Sequence, residues 1–173
     1  MYVEEIMYDR LTASDIRKME EEIEYRKLKL RKELIEDVKD ARAQGDLSEN
    51  FEYYAAKREK NKNESRIRFL ERMIRTAQVI DDSSNENEVG MNDRVEVCFE
   101  EDGLVENYRI VTTVRANSLN GLISIESPLG KALMGKKVGD RVEVVVNPTY
   151  SYYLIIKNIE KIDDDSDTKI RSY

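Results

Sequence analysis

The chain has 173 residues, a formal net charge of −7, and a composition that is 38% charged yet 40% apolar. A single cysteine, Cys98, and the absence of histidine exclude a disulfide framework, a cysteine metal cluster and a histidine-based catalytic pair. The acidic balance argues against broad nonspecific DNA binding, and no apolar run approaches the roughly 20 residues of a membrane span.

Residues 1–10 form a leader with no clear period and no signal-peptide pattern, so a soluble, cytoplasmic chain is the expectation. Thr12 then opens a helix. Asp15 stands where a capping box needs its acid, and Leu11 and Ile16 are spaced as a hydrophobic staple. Ile16, Met19, Ile23, Leu30, Leu34, Val38 and Ala41 follow in steps of three, four and one seven, which describe a seam along one helix face. Gly45 is the only glycine before Gly90, and no proline precedes Pro128. The pattern therefore predicts two long helices, over about 12–43 and 49–80, joined by a bend at Gly45 as an antiparallel hairpin.

The return helix carries Phe51, Tyr54 and Ala55, then Ile67, Leu70, Ile74 and Ala77. Residues 57–66 between them contain no apolar side chain. The hairpin is thus expected to pack well at its base and near its tip, and to be weakest in the middle. Asp46 and Glu49 lie at the bend with capping-box spacing, so each can serve the start of the second helix. The same two carboxylates, one helical turn apart, can also reach one Mg²⁺ ion, provided that a partner supplies the remaining ligands. Arg42 and Lys57 sit near the tip on opposite helices. They read either as solvated charges or as a small basic spot that holds a phosphodiester beside the acids.

Residues 81–88 are polar and read as a linker. Beyond them the period changes to alternation, with strands expected at 94–99, 108–114, 122–125, 141–146 and 152–159. One short helix interrupts them, with Ser127 as N-cap, Pro128 at its first position and Gly135 as its stop. The fold class is therefore α+β: a helical hairpin over 11–80 with its acidic tip at 45–50, then an antiparallel sheet domain with one short helix over 89–162. Residues 163–173 are expected to form a disordered acidic tail.

Residues 41–50, Ala-Arg-Ala-Gln-Gly-Asp-Leu-Ser-Glu-Asn, followed by Glu52-Tyr53 and Ala55-Ala56-Lys57, resemble the coiled-coil tip of the bacterial Gre transcript-cleavage factors, the GreA-like members in particular. Residues 123–133, with Gly135-Lys136 and Val138-Gly139-Asp140, resemble that family's C-terminal FKBP-like domain. The resemblance implies a transcription elongation factor, not itself an enzyme, that inserts its coiled coil into the secondary channel of RNA polymerase. There it would stimulate the polymerase's own Mg²⁺-dependent cleavage of backtracked RNA. Asp46 and Glu49 match the family's catalytic, metal-binding acids, and Arg42 and Lys57 its positions near the nascent RNA 3′ end. Glu126, Ser127 and Pro128 match its polymerase-docking loop. The resemblance implies Mg²⁺ shared with the polymerase and a monomer. The alternative is a Gre-like paralogue that occupies the channel and modulates polymerase without cleavage. The sequence departs from the family at Asn61-Lys62-Asn63, at residues 112–117 and after Pro148.

Overall fold

The computed structural model describes residues 9–45 and 50–172. The described residues divide into a unit of residues 9, 16–45 and 50–77 and a unit formed by residues 10–15 with 78–172.

The first unit is the helical hairpin. Helix α1 (Ala13–Tyr25) passes through a π-helical turn (Arg26–Leu30) into α2 (Arg31–Ala43), and α3 (Phe51–Thr76) returns. Met19, Ala41, Ile67, Leu70 and Met73 are buried, as the helical period requires. Phe51 is 86% exposed and Tyr54 49% exposed, so apolar packing does not extend to the tip as expected.

The middle of the hairpin is polar but not loose. Arg66 donates two hydrogen bonds to the Glu22 carboxylate, at 2.9 and 3.1 Å, and Arg26 donates to the same carboxylate at 2.7 Å. Arg26 also donates to Asn63 Oδ1, and Arg31 holds Glu64 with two further bonds. Asn63 is 3% exposed and its amide nitrogen lies 3.5 Å from the Arg26 carbonyl, where the π turn begins. A side chain reaching into the backbone ladder is a recognised cause of a widened turn.

The start of α1 belongs to the second unit and is the expected capping box. Thr12 Oγ1 accepts from Asp15 N at 3.2 Å, and Asp15 Oδ2 accepts from Thr12 N at 3.0 Å. Strand β1 (Arg10–Leu11) pairs in parallel with β2 (Gln78–Val79). The main sheet contains β3 (Arg94–Phe99), β4 (Val105–Val111), β5 (Leu122–Ser124), β6 (Arg141–Asn147) and β7 (Tyr150–Glu160), in the order β5-β4-β3-β7-β6. Four strands run antiparallel, but β5 pairs in parallel with β4, so the sheet is mixed where alternation alone predicted an antiparallel one. Its core gathers Val95, Val97, Ile110, Val142, Leu154 and Ile156 under Leu133 of α4 (Pro128–Leu133).

Residues 81–88, read as a linker, are tied to this unit by Lys161. Its ammonium donates to Ser84 Oγ, the carbonyls of Asn85 and Glu88, and Asp93 Oδ2. The acidic run after Asp163 is held by two buried arginines, contrary to the expectation of disorder. Arg109 grips the Asp167 carboxylate and the Asp164 carbonyl. Arg115, fully buried, pairs with Asp15 at 2.6 Å and donates to Thr168 and Asn92. Neither arginine is recognisable as an anchor from strand periodicity.

Candidate functional site

Two regions carry the residues singled out from the sequence, and each lies within one unit. At the hairpin bend, Gly45 turns with φ +140°, a backbone conformation side chains rarely adopt. Asp46 and Glu49 lie outside the described residues; the residues that flank them do not.

Helix α3 begins at Phe51, not at residue 49, and its N-cap is Asn50. Asn50 Oδ1 accepts from Tyr53 N at 3.0 Å, while Asn50 Nδ2 donates to the Ala41 carbonyl at 2.6 Å. One side chain thus starts the return helix and ties it to the outgoing one. The capping role open to Asp46 and Glu49 from their spacing is filled by Asn50.

Behind the bend, several basic side chains surround Tyr53. Arg42 and Lys57 are both exposed. The Arg42 guanidinium lies 5.7 Å from the centre of the Tyr53 ring. Its hydrogen bond to the phenol, reinforced by the charges of Lys57, Arg42 and Lys60, holds the Tyr53 hydroxyl below the ordinary tyrosine value. Tyr53 in turn meets the edge of Tyr54 at 5.5 Å. Lys39, Arg42 and Lys60 also line a cleft of about 270 Å³ with Ile35 and Val38. Lys39 and Lys60 were not singled out in the sequence. Their signal was the three-residue spacing of Lys39 to Arg42 and of Lys57 to Lys60, which repeats one helix face.

The second region is the loop leading into α4. Ser127 caps that helix by accepting from Gly130 N at 3.0 Å, and its hydroxyl donates to the Ser124 carbonyl at 2.7 Å. Pro128 follows at the first helical position, as expected. Glu126 and Pro128 are exposed, and Glu126 accepts from Arg10 at 2.5 Å. The helix packs tightly on the strand before it: a Cβ at Gly130 would sit 2.0 Å from the Ser124 carbonyl oxygen. Glu126 and Pro128 are therefore presented on a loop of fixed shape, with Ser127 shaping it. Among the described residues, no three His, Cys, Asp or Glu side chains are grouped to hold a metal ion.

Comparison with known proteins covers both regions. Residues 10–79 match the family described as "Transcription elongation factor, N-terminal", and residues 84–161 match "Transcription elongation factor, GreA/GreB, C-term". The chain is 45% identical over 134 residues to transcription elongation factor GreA of Bacillus subtilis, covering 78% of this chain and 85% of that protein. It is 39% identical over 152 residues to the GreA of Thermotoga maritima, covering 88% and 97%. The solved GreA factor homolog 1 of Thermus thermophilus is 26% identical, with 88% and 99% of the two chains covered and a TM-score of 0.40. With both halves of the chain matched in order, the protein belongs to the GreA/GreB family of transcription elongation factors.

Proposed function

We propose that this chain acts on RNA polymerase in the cytoplasm, inserting its hairpin, as a coiled coil, into the secondary channel and stimulating cleavage of backtracked RNA. It is not itself a nuclease. It lends two carboxylates to an active centre that belongs to its partner. The observation that carries this reading is the Asn50 cap. Because Asn50 starts α3 and ties it to Ala41, the neighbouring acids are not needed for capping. Their charge is available for another use.

Helix α3 alone spans 26 residues, roughly 39 Å, which suits delivery of its tip to a recessed site. Asp46 and Glu49 are hard oxygen donors, which suit Mg²⁺. That ion prefers an octahedral set, so two carboxylates fill a minority of its positions, and polymerase side chains and RNA phosphate oxygens would complete it. When bound, Mg²⁺ supplies an activated water and charge neutralisation at the phosphodiester. Arg42, Lys57 and Lys60 hold the RNA backbone through charge-assisted hydrogen bonds, and Tyr53, fixed by Arg42, offers a ring edge beside them. Glu126 and Pro128 meet the polymerase surface from the fixed loop before α4, and the FKBP-like sheet unit serves as the docking body.

The test is a transcript-cleavage assay on a halted, backtracked complex with the matched polymerase. The unaltered chain should accelerate cleavage. Asp46→Asn and Glu49→Gln should each abolish the acceleration while polymerase binding persists, with partial rescue by excess Mg²⁺. Acid variants that cleave like the original chain would refute the proposal. So would a chain that binds polymerase but never stimulates cleavage, an outcome that fits a channel-occupying modulator instead.

A further inference from the structure

A cavity of about 280 Å³ opens at the β3–β4 hairpin of the sheet unit, away from every residue assigned above. Phe99, Tyr108 and Tyr152 form its floor, and all three also pack against the buried core. The Phe99 and Tyr152 rings are tilted at 5.7 Å, and Tyr150 continues the row at 6.2 Å from Tyr152. The rim carries Glu101, Asp102 and Glu106, all exposed, and no lysine or arginine lines the cavity. Asp102 accepts from Leu104 N at 2.9 Å, which fixes its direction. Among the described residues, neither Glu101 nor Glu106 forms an ion pair. Burial raises the Tyr108 hydroxyl pKa, and the Glu106 charge raises it further. Aromatic faces ringed by carboxylates favour a cation.

A second observation says what kind of molecule carries that cation. Strand β5 covers only Arg109–Val111 of β4, and the turn at Gly121 packs against the Asn107 carbonyl, so residues 105–106 have β3 on one side and no strand on the other. These residues are exposed, and Leu104 and Val105 add apolar surface, 51% and 49% exposed, beside the cavity mouth. An open strand edge binds an extended peptide through its backbone, and pockets for alternate side chains select its sequence.

We propose that the β4 edge and this cavity form a docking groove for an extended basic segment of a partner protein. The segment adds beside residues 105–106 and places a lysine or arginine over the Phe99, Tyr108 and Tyr152 rings, between Glu101, Asp102 and Glu106. The groove uses none of the hairpin residues, so it does not depend on the transcript-cleavage reading.

The experiment titrates the full chain into a fluorescein-labelled hexapeptide of alternating valine and lysine and follows anisotropy. Three further peptides replace lysine by acetyl-lysine, replace lysine by glutamate, or carry N-methyl groups on the valines. Saturable binding of the lysine peptide is expected, with a loss of at least about tenfold for each altered peptide. Glu101→Gln/Glu106→Gln should weaken the lysine peptide about tenfold. The control Glu20→Gln/Asp82→Asn/Glu86→Gln, which removes exposed acids elsewhere, should change it less than about twofold. Circular dichroism melts confirm that the variants fold. Binding that the control weakens equally would be general attraction to an acidic chain and would overturn the proposal. Equal binding of the acetylated peptide, or none of the lysine peptide, would do the same.

Discussion

Asn50→Ala separates what shapes the tip from what acts there. The substitution removes an N-cap, worth about 1 kcal/mol. It also removes the bond to the Ala41 carbonyl at 2.6 Å, worth about 1 kcal/mol net. The combined loss of about 2 kcal/mol corresponds to roughly thirtyfold easier local opening of the first turn of α3. Amide hydrogen exchange at Tyr53 and Tyr54 reads this directly, because their N–H groups bond to Asn50 Oδ1 and the Asn50 carbonyl. Protection there should fall roughly thirtyfold, while that of Leu70 and Met73 stays unchanged. Asn50→Asp retains the acceptor but not the donor, so it should lose about half that free energy. Stimulated cleavage should fall with Asn50→Ala in proportion to the closed fraction, whereas Asp46→Asn should abolish cleavage and leave Tyr53 protection intact. If Asn50→Ala changes protection by less than about threefold, or Asp46→Asn lowers it equally, the assignment of the cap is wrong.

Three further outcomes are expected. Asp15→Asn takes the nearer of two carboxylates from the fully buried Arg115 guanidinium and leaves Asp165 at 3.7 Å, so it should cost about 2–3 kcal/mol in urea unfolding, while Asp15→Leu/Arg115→Met should recover part of it; a cost below about 1 kcal/mol would contradict the pairing. Burial acts to raise the Glu22 pKa, but hydrogen bonds and charges from Arg66 and Arg26 outweigh it and hold the group below its ordinary value. Its stabilising contribution is therefore present above the ordinary glutamate pKa and lost as pH falls through the depressed one, so hairpin unfolding should become easier only below the ordinary glutamate pKa, and Glu22→Gln should flatten that part of the pH profile. Gly130→Ala should destabilise the sheet unit by about 1–3 kcal/mol in a thermal melt and weaken polymerase binding, because its methyl meets the Ser124 carbonyl.

The elements whose cause is local were legible in the sequence. The Thr12–Asp15 box, the Ser127–Pro128 start of α4 and the Gly45 bend each depend on a few adjacent residues, and each stands where expected. The seam at Ile67 and Leu70 was legible too, because burial there follows the helix period. What escaped depends on distant partners. Nothing near Asp167 announces Arg109, 58 residues earlier in the chain, so the acidic tail read as disordered. The parallel pairing of β5 with β4 is a matter of topology, which alternation does not encode. At the tip, Phe51 and Tyr54 matched the seam period yet remain exposed, because period alone does not say whether a helix face has a partner. The family motif was the stronger signal for the bend: composition treats Asp46 and Glu49 as two acids among many.

The polar middle of the hairpin bears on the same tip. An apolar seam alone tolerates sliding, since one turn of slip, about 5.4 Å, exchanges one aliphatic contact for another. The Glu22–Arg66 and Arg26–Asn63 contacts do not tolerate it, because the buried Arg66 and Asn63 would lose their partners, and the half-exposed Arg31–Glu64 pair adds to the same register. Residues 57–66 therefore act less as a weak stretch than as the element that sets the register of α3 against the outgoing helix. Register decides whether Asn50 meets Ala41 and whether Tyr53 meets Arg42. In this hairpin, charge in the middle fixes the geometry at the end, and apolar burial is concentrated at Met19, Ile67, Leu70 and Met73.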